Sequence, residues 1–145
     1  MYEDTAITPD EELKRADHLV YVSLKYTRTC DIMKNAIKRM IAAFELAMSD
    51  YLEYLRKSKK LGNVHGSVKE RSVQMKPLLG NPGKKYLNLY NLLKKIDKAE
   101  YTASEEFRKN VTLKTKTPTP IEVKVDDLYN YLEITKEFAS FIKIG

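Results

Sequence analysis

Residues 31–55, DIMKNAIKRMIAAFELAMSDYLEYL, decide how this chain folds. Met33, Ile37, Met40, Phe44, Ala47, Met48, Tyr51 and Leu55 return every three or four positions. That is the spacing of one face of an α-helix. Ile41 and Leu52 widen the stripe, so the buried face is broad. Lys34, Lys38, Glu45, Asp50 and Glu53 lie mostly opposite it. At ~1.5 Å per residue such a helix reaches roughly 40 Å. Thr29 or Asp31 is its expected N-cap.

Upstream, Thr8 has the chemistry of an N-cap, Pro9 suits the first helical position, and Glu11 stands where a capping box needs it. Leu13, Ala16, Val20, Leu24 and then Thr27 or Cys30 continue one stripe. The apolar phase passes unbroken into the next segment, but ordinary helix lengths favour a break near Cys30.

Downstream, KSKKLGNVHG supplies the stop and turn residues Gly62, Asn63 and Gly66. Residues 67–79 are ambiguous: Val68, Val73, Met75, Leu78 and Leu79 fit a short helix that Pro77 would disturb. GNPGKK reads as a turn. A further helix over about 84–99 carries Tyr86, Leu89, Leu93 and Ile96 on one stripe, with Tyr90 and Leu92 beside it. TASE, residues 102–105, has the form of a capping box opening a short helical turn. The period then changes to two, in VTLKT (111–115) and IEVKV (121–125), with KTPTP between them. An irregular hairpin or extended arm is expected there. A last amphipathic helix begins at Asp126, with Leu128, Tyr131, Leu132, Thr135, Phe138, Ala139 and Ile142 on one face.

These elements define the expected fold class. It is all-α, an antiparallel bundle of four main helices with a short extended excursion before the last. The 145 residues, 43% apolar and with only five Gly and five Pro, fit a single domain over 1–145. No apolar run is long enough to cross a bilayer. The acidic start MYEDTAITPDEE has no apolar core, so no secretory signal is expected. The single cysteine, Cys30, excludes an internal disulfide and suits a reducing cytoplasm.

Charge is unevenly spread within a net +6. Residues 56–116 hold 16 basic and 5 acidic side chains, whereas 1–55 and 117–145 are each slightly acidic. A central block of +11 raises the odds of a polyanionic partner, although lysines on solvated helix faces give the same count. The densest cluster is Arg56, Lys57, Lys59 and Lys60 at a helix C-terminus, where cations also complement the helix dipole. A nucleic-acid surface would need Lys84, Lys85, Lys94, Lys95, Arg108 and Lys109 to join them. Tyr86, Tyr90 and Tyr101 fall in the same block. Aromatics among lysines stack on unpaired bases, but the helical spacing of Tyr86 with Leu89, Leu93 and Ile96 reads first as core.

Catalytic constellations are harder to find. His18, His65 and Cys30 lie in three segments with no metal-ligand spacing, so no metal or other cofactor is implied. His65 sits in a glycine-flanked loop, more often polar surface than a catalytic base. GNPGKK lacks the preceding strand and following Ser or Thr of a phosphate loop.

LNLYNLLKKIDKAEY (87–101) and DDLYNYLEITKEFASFIK (126–143), in this order after a long helix pair, resemble the HEPN helical bundles. LNLY and KAEY echo a helix ending Leu-Tyr-x-x-Arg followed by Ala-Asp-Tyr, and EFASFI echoes a closing Phe-x-x-x-Ile. The resemblance implies RNA-directed roles: metal-independent RNases, their inactive relatives, RNA binders, and partners of nucleotidyltransferases. Active members carry an Arg and, four to six residues on, a His. Aligned on Tyr101, the Arg position falls at Ile96, with Lys95 beside it. If Arg108 were that Arg, its partner would fall at Leu113. No histidine stands where a general acid or base is wanted, so no catalytic residue is assigned.

Three readings remain at this level. The leading one is a non-catalytic, basic, HEPN-like bundle, a cytoplasmic homodimer binding RNA or a nucleotidyltransferase-type partner. The others are a structural protein–protein interaction module and a divergent RNase using Tyr101, Arg108 or His65.

Overall fold

The computed structural model describes residues 7–58 and 68–144. Lys59, Lys60, Gly62, Asn63, His65, Gly66 and residues 1–6 of the acidic start lie outside the described residues.

Helix α1 (Pro9–His18) opens as its sequence dictates, with the Thr8 hydroxyl accepting from the Glu11 N–H at 3.1 Å. It runs on through a π-helical turn (Leu19–Ser23) into a last α turn (Leu24–Tyr26), the Leu24 N–H donating to the Leu19 carbonyl. Steps of four residues from Ala16 to Val20 to Leu24 overrun an α-helical stripe by about 40° each. The wider turn takes up that excess, and all three stay buried. The break comes at Thr27, which is extended, and Thr29 caps the next helix through the Ile32 N–H.

Helix α2 (Cys30–Lys57) is the central pillar. Met33, Ile37, Met40, Phe44, Met48 and Leu52 are wholly buried, and Ala36 and Ala43 extend the buried face. Glu12 of α1, itself buried, meets Arg15 and Arg39 at 3.2 Å, so the charge taken inside is paired across the α1–α2 contact.

Helix α3 (Val68–Leu79) carries Pro77 inside its last turn, and the helix continues two residues past it. The disturbance expected of Pro77 is confined to a helix end, where few backbone bonds remain to be lost. Gly80, at φ +63°, then turns the chain into a 3₁₀ turn (Asn81–Gly83). A Cβ on Gly83 would collide with the Leu79 side chain, so no larger residue fits.

Helix α4 (Lys84–Lys98) buries Tyr86, Leu87, Leu89, Tyr90, Leu93 and Ile96. It runs antiparallel to α2: Tyr90 hydrogen-bonds Glu45, whereas Lys34 reaches the Asp97 carbonyl. Strands β1 (Tyr101–Ser104), β2 (Thr112–Thr115) and β3 (Glu122–Val123) form an antiparallel sheet in that order. Tyr101 pairs with Thr115, Ser104 with Thr112, and Leu113 with Val123. Helix α5 (Val125–Ile144) closes the chain, Asp127 accepting from the Lys124 N–H at 2.8 Å. Its contacts run in reverse along α1, with Lys136 on Asp17 and Tyr129 on Tyr21.

The protein is therefore predominantly helical, with five α-helices and a small sheet among the described residues, rather than an all-α bundle of four. TASE is corrected from a helix start to strand β1: backbone pairing with Thr112–Thr115 outweighs a local cap worth ~1 kcal/mol. One apolar cluster runs from Leu13 to Ile142. At its centre the Phe44 and Phe138 rings stack at 4.8 Å, with Tyr90 and Tyr86 tilted against them. Val111, Leu113 and Val123 close the end of the core under the sheet. Among the described residues no helix is long and apolar enough to cross a membrane.

Candidate nucleic-acid interface

The antiparallel packing of α2 and α4 divides the predicted basic residues into two groups. Arg56 and Lys57 end α2, and Lys84 and Lys85 begin α4 at the same end of the bundle. Toward the other end come Lys94 and Lys95, and beyond them Arg108 and Lys109 in the β1–β2 loop. About 40 Å of α2 separates the extremes. Of the ten predicted residues, the eight described ones lie toward the two ends of the bundle; Lys59 and Lys60 are outside the described residues.

Several of these cations already have partners. Arg56 forks onto Glu53 at 3.0–3.2 Å. Lys85 pairs with Glu137 at 2.9 Å and covers the Tyr86 ring. Lys94 lies over Tyr90 and 3.8 Å from Glu45. Arg108 is 3.8 Å from Glu105. Lys57, Lys84, Lys95 and Lys109 are exposed.

The sheet end of the bundle has a different character. Its loop, residues 105–111, is pinned to the link between α1 and α2. The Phe107 N–H donates to the Arg28 carbonyl at 2.6 Å, and the Cys30 N–H donates to the Glu106 carboxylate at 2.9 Å. Glu106 thereby satisfies one of the orphan donors in the first turn of α2. Two residues of the loop are left-handed, Glu105 at φ 57° and Phe107 at φ 67°. A bulky side chain in that region costs on the order of 1–3 kcal/mol and persists only where its surroundings over-determine it. The result here is a phenylalanine ring 73% exposed. Tyr26, two residues before Arg28, is 80% exposed.

Beside this loop lies a pocket of about 210 Å³ lined by Arg28, Lys109, Asn110, Lys124, Val125, Asp126 and Tyr129. Three cations face one carboxylate there. Among the described residues none of the three is in an ion pair. Tyr129 is braced from behind by Tyr21 at 4.9 Å, and Tyr21 by Lys136, which is bound to Asp17 at 2.7 Å. Only Lys109 of the pocket was among the predicted residues. Arg28 and Lys124 belong to the two acidic portions of the chain, so a charge count along the sequence gives no sign of them. The hairpin folding back on the α1–α2 link assembles the cluster.

The positions singled out by the HEPN resemblance have other occupations. Ile96 is wholly buried in the core. The Tyr101 hydroxyl donates to Asp31 at 2.8 Å, which with partial burial pushes its pKa up to about 12. Lys34 sits over the Tyr101 ring while donating to the Asp97 carbonyl, and Lys38 is 3.1 Å from the Asp97 carboxylate. Leu113 is buried under the sheet. Compared with protein-family models, curated proteins and solved structures, the chain matches none.

Proposed function

We propose that this chain is a non-catalytic, HEPN-like helical domain that binds single-stranded RNA at the sheet end of its bundle. One observation carries the reading: Phe107 is held in a left-handed conformation with its ring in solvent, beside Arg28, Arg108 and Lys109. Cations next to exposed aromatics are what a flexible strand needs. The cations take phosphates, and the rings take unpaired bases, each stack contributing ~1–3 kcal/mol.

The non-catalytic part rests on Ile96 and Tyr101. An isoleucine inside the core offers no charge to a scissile phosphate. A tyrosine hydroxyl that donates to Asp31, with its pKa raised, is a poor proton acceptor at neutral pH.

Fluorescence anisotropy with a labelled single-stranded RNA, across a salt series, tests the proposal. Engagement of Arg28, Arg108, Lys109 and Lys124 gives a slope of log K against log salt of roughly −3. The labelled RNA stays intact through the incubation. DNA and duplex RNA of the same sequence provide the comparison. Failure to bind any single strand at low salt overturns the reading.

A further inference from the structure

We infer that the pocket formed by Arg28, Lys109 and Lys124 seats a terminal phosphomonoester of the bound strand, rather than a phosphate inside its backbone. This rests on the single-strand reading above and narrows it to strands with a phosphorylated end.

Charge is the first argument. An internal phosphodiester brings one negative charge, whereas a terminal monoester carries about −1.5 to −2 near pH 7. Three cations and the single carboxylate of Asp126 line the pocket, a formal surplus of two before the adjacent Asp127 carboxylate is counted, and a monoester gains more from that surplus than a diester does. Along a strand, successive phosphates are normally met by cations spread out one by one. Here three converge on one small depression.

Shape is the second. The pocket has walls on three sides: the loop with Lys109 and Asn110, the α1–α2 link with Arg28, and the start of α5 with Lys124, Val125 and Tyr129. Its 210 Å³ suit one phosphate and its sugar, and a small depression walled on three sides fits a strand end.

Preorganisation is the third. The Arg28 carbonyl is held by the Phe107 N–H, and the Lys124 N–H by Asp127, so the backbone under two of the three cations is fixed while their charged ends remain unpaired among the described residues. The backbone part of the ordering cost is met in advance, and what remains is the rotamer freedom of the three side chains. The same hydrogen bond ties the Phe107 backbone to Arg28, a residue of the pocket lining.

The test compares four RNAs of one sequence: 5′-phosphorylated, 3′-phosphorylated, phosphorylated at both ends, and hydroxyl at both ends. Anisotropy is read on the full chain at one salt concentration. One phosphorylated end is expected to bind at least ~10-fold more tightly than the hydroxyl strand, about 1.4 kcal/mol. Lys124→Ala and Lys109→Ala each erase most of that difference and weaken the hydroxyl strand only a few-fold. Equal affinity for phosphorylated and hydroxyl strands overturns this inference while leaving strand binding intact. No binding of any of the four overturns both. A nucleoside monophosphate is added as competitor; if it binds as tightly as the phosphorylated strand, the pocket serves a free nucleotide and the inference also fails.

Discussion

The backbone N–H of Cys30 donates to the carboxylate of Glu106 at 2.9 Å, tying the first turn of the longest helix to the loop that presents Phe107. The same carboxylate acts on the cysteine itself. The Cys30 thiol is buried, and burial first, then the negative charge of Glu106, pushes its pKa up to about 11. A raised pKa means the folded state favours the neutral thiol. Its contribution to stability is complete below the ordinary thiol range and is lost as pH rises from there toward 11. In native protein at pH 8, Cys30 should therefore resist a chromogenic disulfide reagent over hours, and react within minutes in concentrated urea. Fast native reaction would mean that the loop opens readily and that Glu106 does not hold it.

Phe107→Gly separates strain from function. Glycine adopts φ 67° freely, so the urea midpoint should hold or rise slightly. Affinity for single-stranded RNA should nevertheless fall by about 1–3 kcal/mol, one stacked base. Unchanged RNA affinity in this variant would remove Phe107 from the interface.

Phe44→Ala removes the ring on which α2, α4 and α5 meet. Phe44 is wholly buried, stacks on Phe138 at 4.8 Å and touches Tyr90 at 5.6 Å. The expected loss is ~3–5 kcal/mol in urea-induced unfolding. A loss under about 1 kcal/mol would contradict the packing described for the centre of the bundle.

Tyr101 can be followed by its ultraviolet absorbance. Its hydrogen bond to Asp31 and partial burial favour the protonated phenol, so its contribution to stability is present below pH 10 and declines as pH rises toward 12. The difference spectrum between wild type and Tyr101→Phe should show a phenol titrating near 12, and Asp31→Asn should bring that midpoint down. A midpoint near 10 in wild type would mean that the Asp31 contact is not made in solution.

How much of this was legible beforehand follows from how local each cause is. The Thr8 cap, the stripe of α2 and the face of α5 are written within a few residues of themselves, because an α-helix hydrogen-bonds within its own segment. Strand β1 is the opposite case. Thr102, Ala103 and Ser104 are all exposed, with no alternating apolar pattern to betray them. Their capping-box spelling is overruled by pairing with β2, a partner that a local reading does not see. Pro77 misleads in a smaller way, since its cost depends on where the helix ends, and that end is Leu79, two residues later, with Gly80 turning the chain.

The candidate site divides along the same line. The sequence by itself determined that the chain is mainly helical, which faces are buried, and that positive charge concentrates in its middle. It also determined that no histidine accompanies Ile96 at the spacing an HEPN nuclease would use. Only the tertiary structure decided which charges become neighbours. It set Arg56 and Lys84 at one end and Arg108 and Lys109 toward the other, since the antiparallel pairing joins the end of α2 to the start of α4 and the length of α4 carries the chain to the far end. It brought Arg28 and Lys124 from the acidic portions of the chain to Lys109, since the hairpin folds back on the α1–α2 link. Helix formation depends on neighbours in sequence; a surface that holds a polyanion depends on neighbours in space.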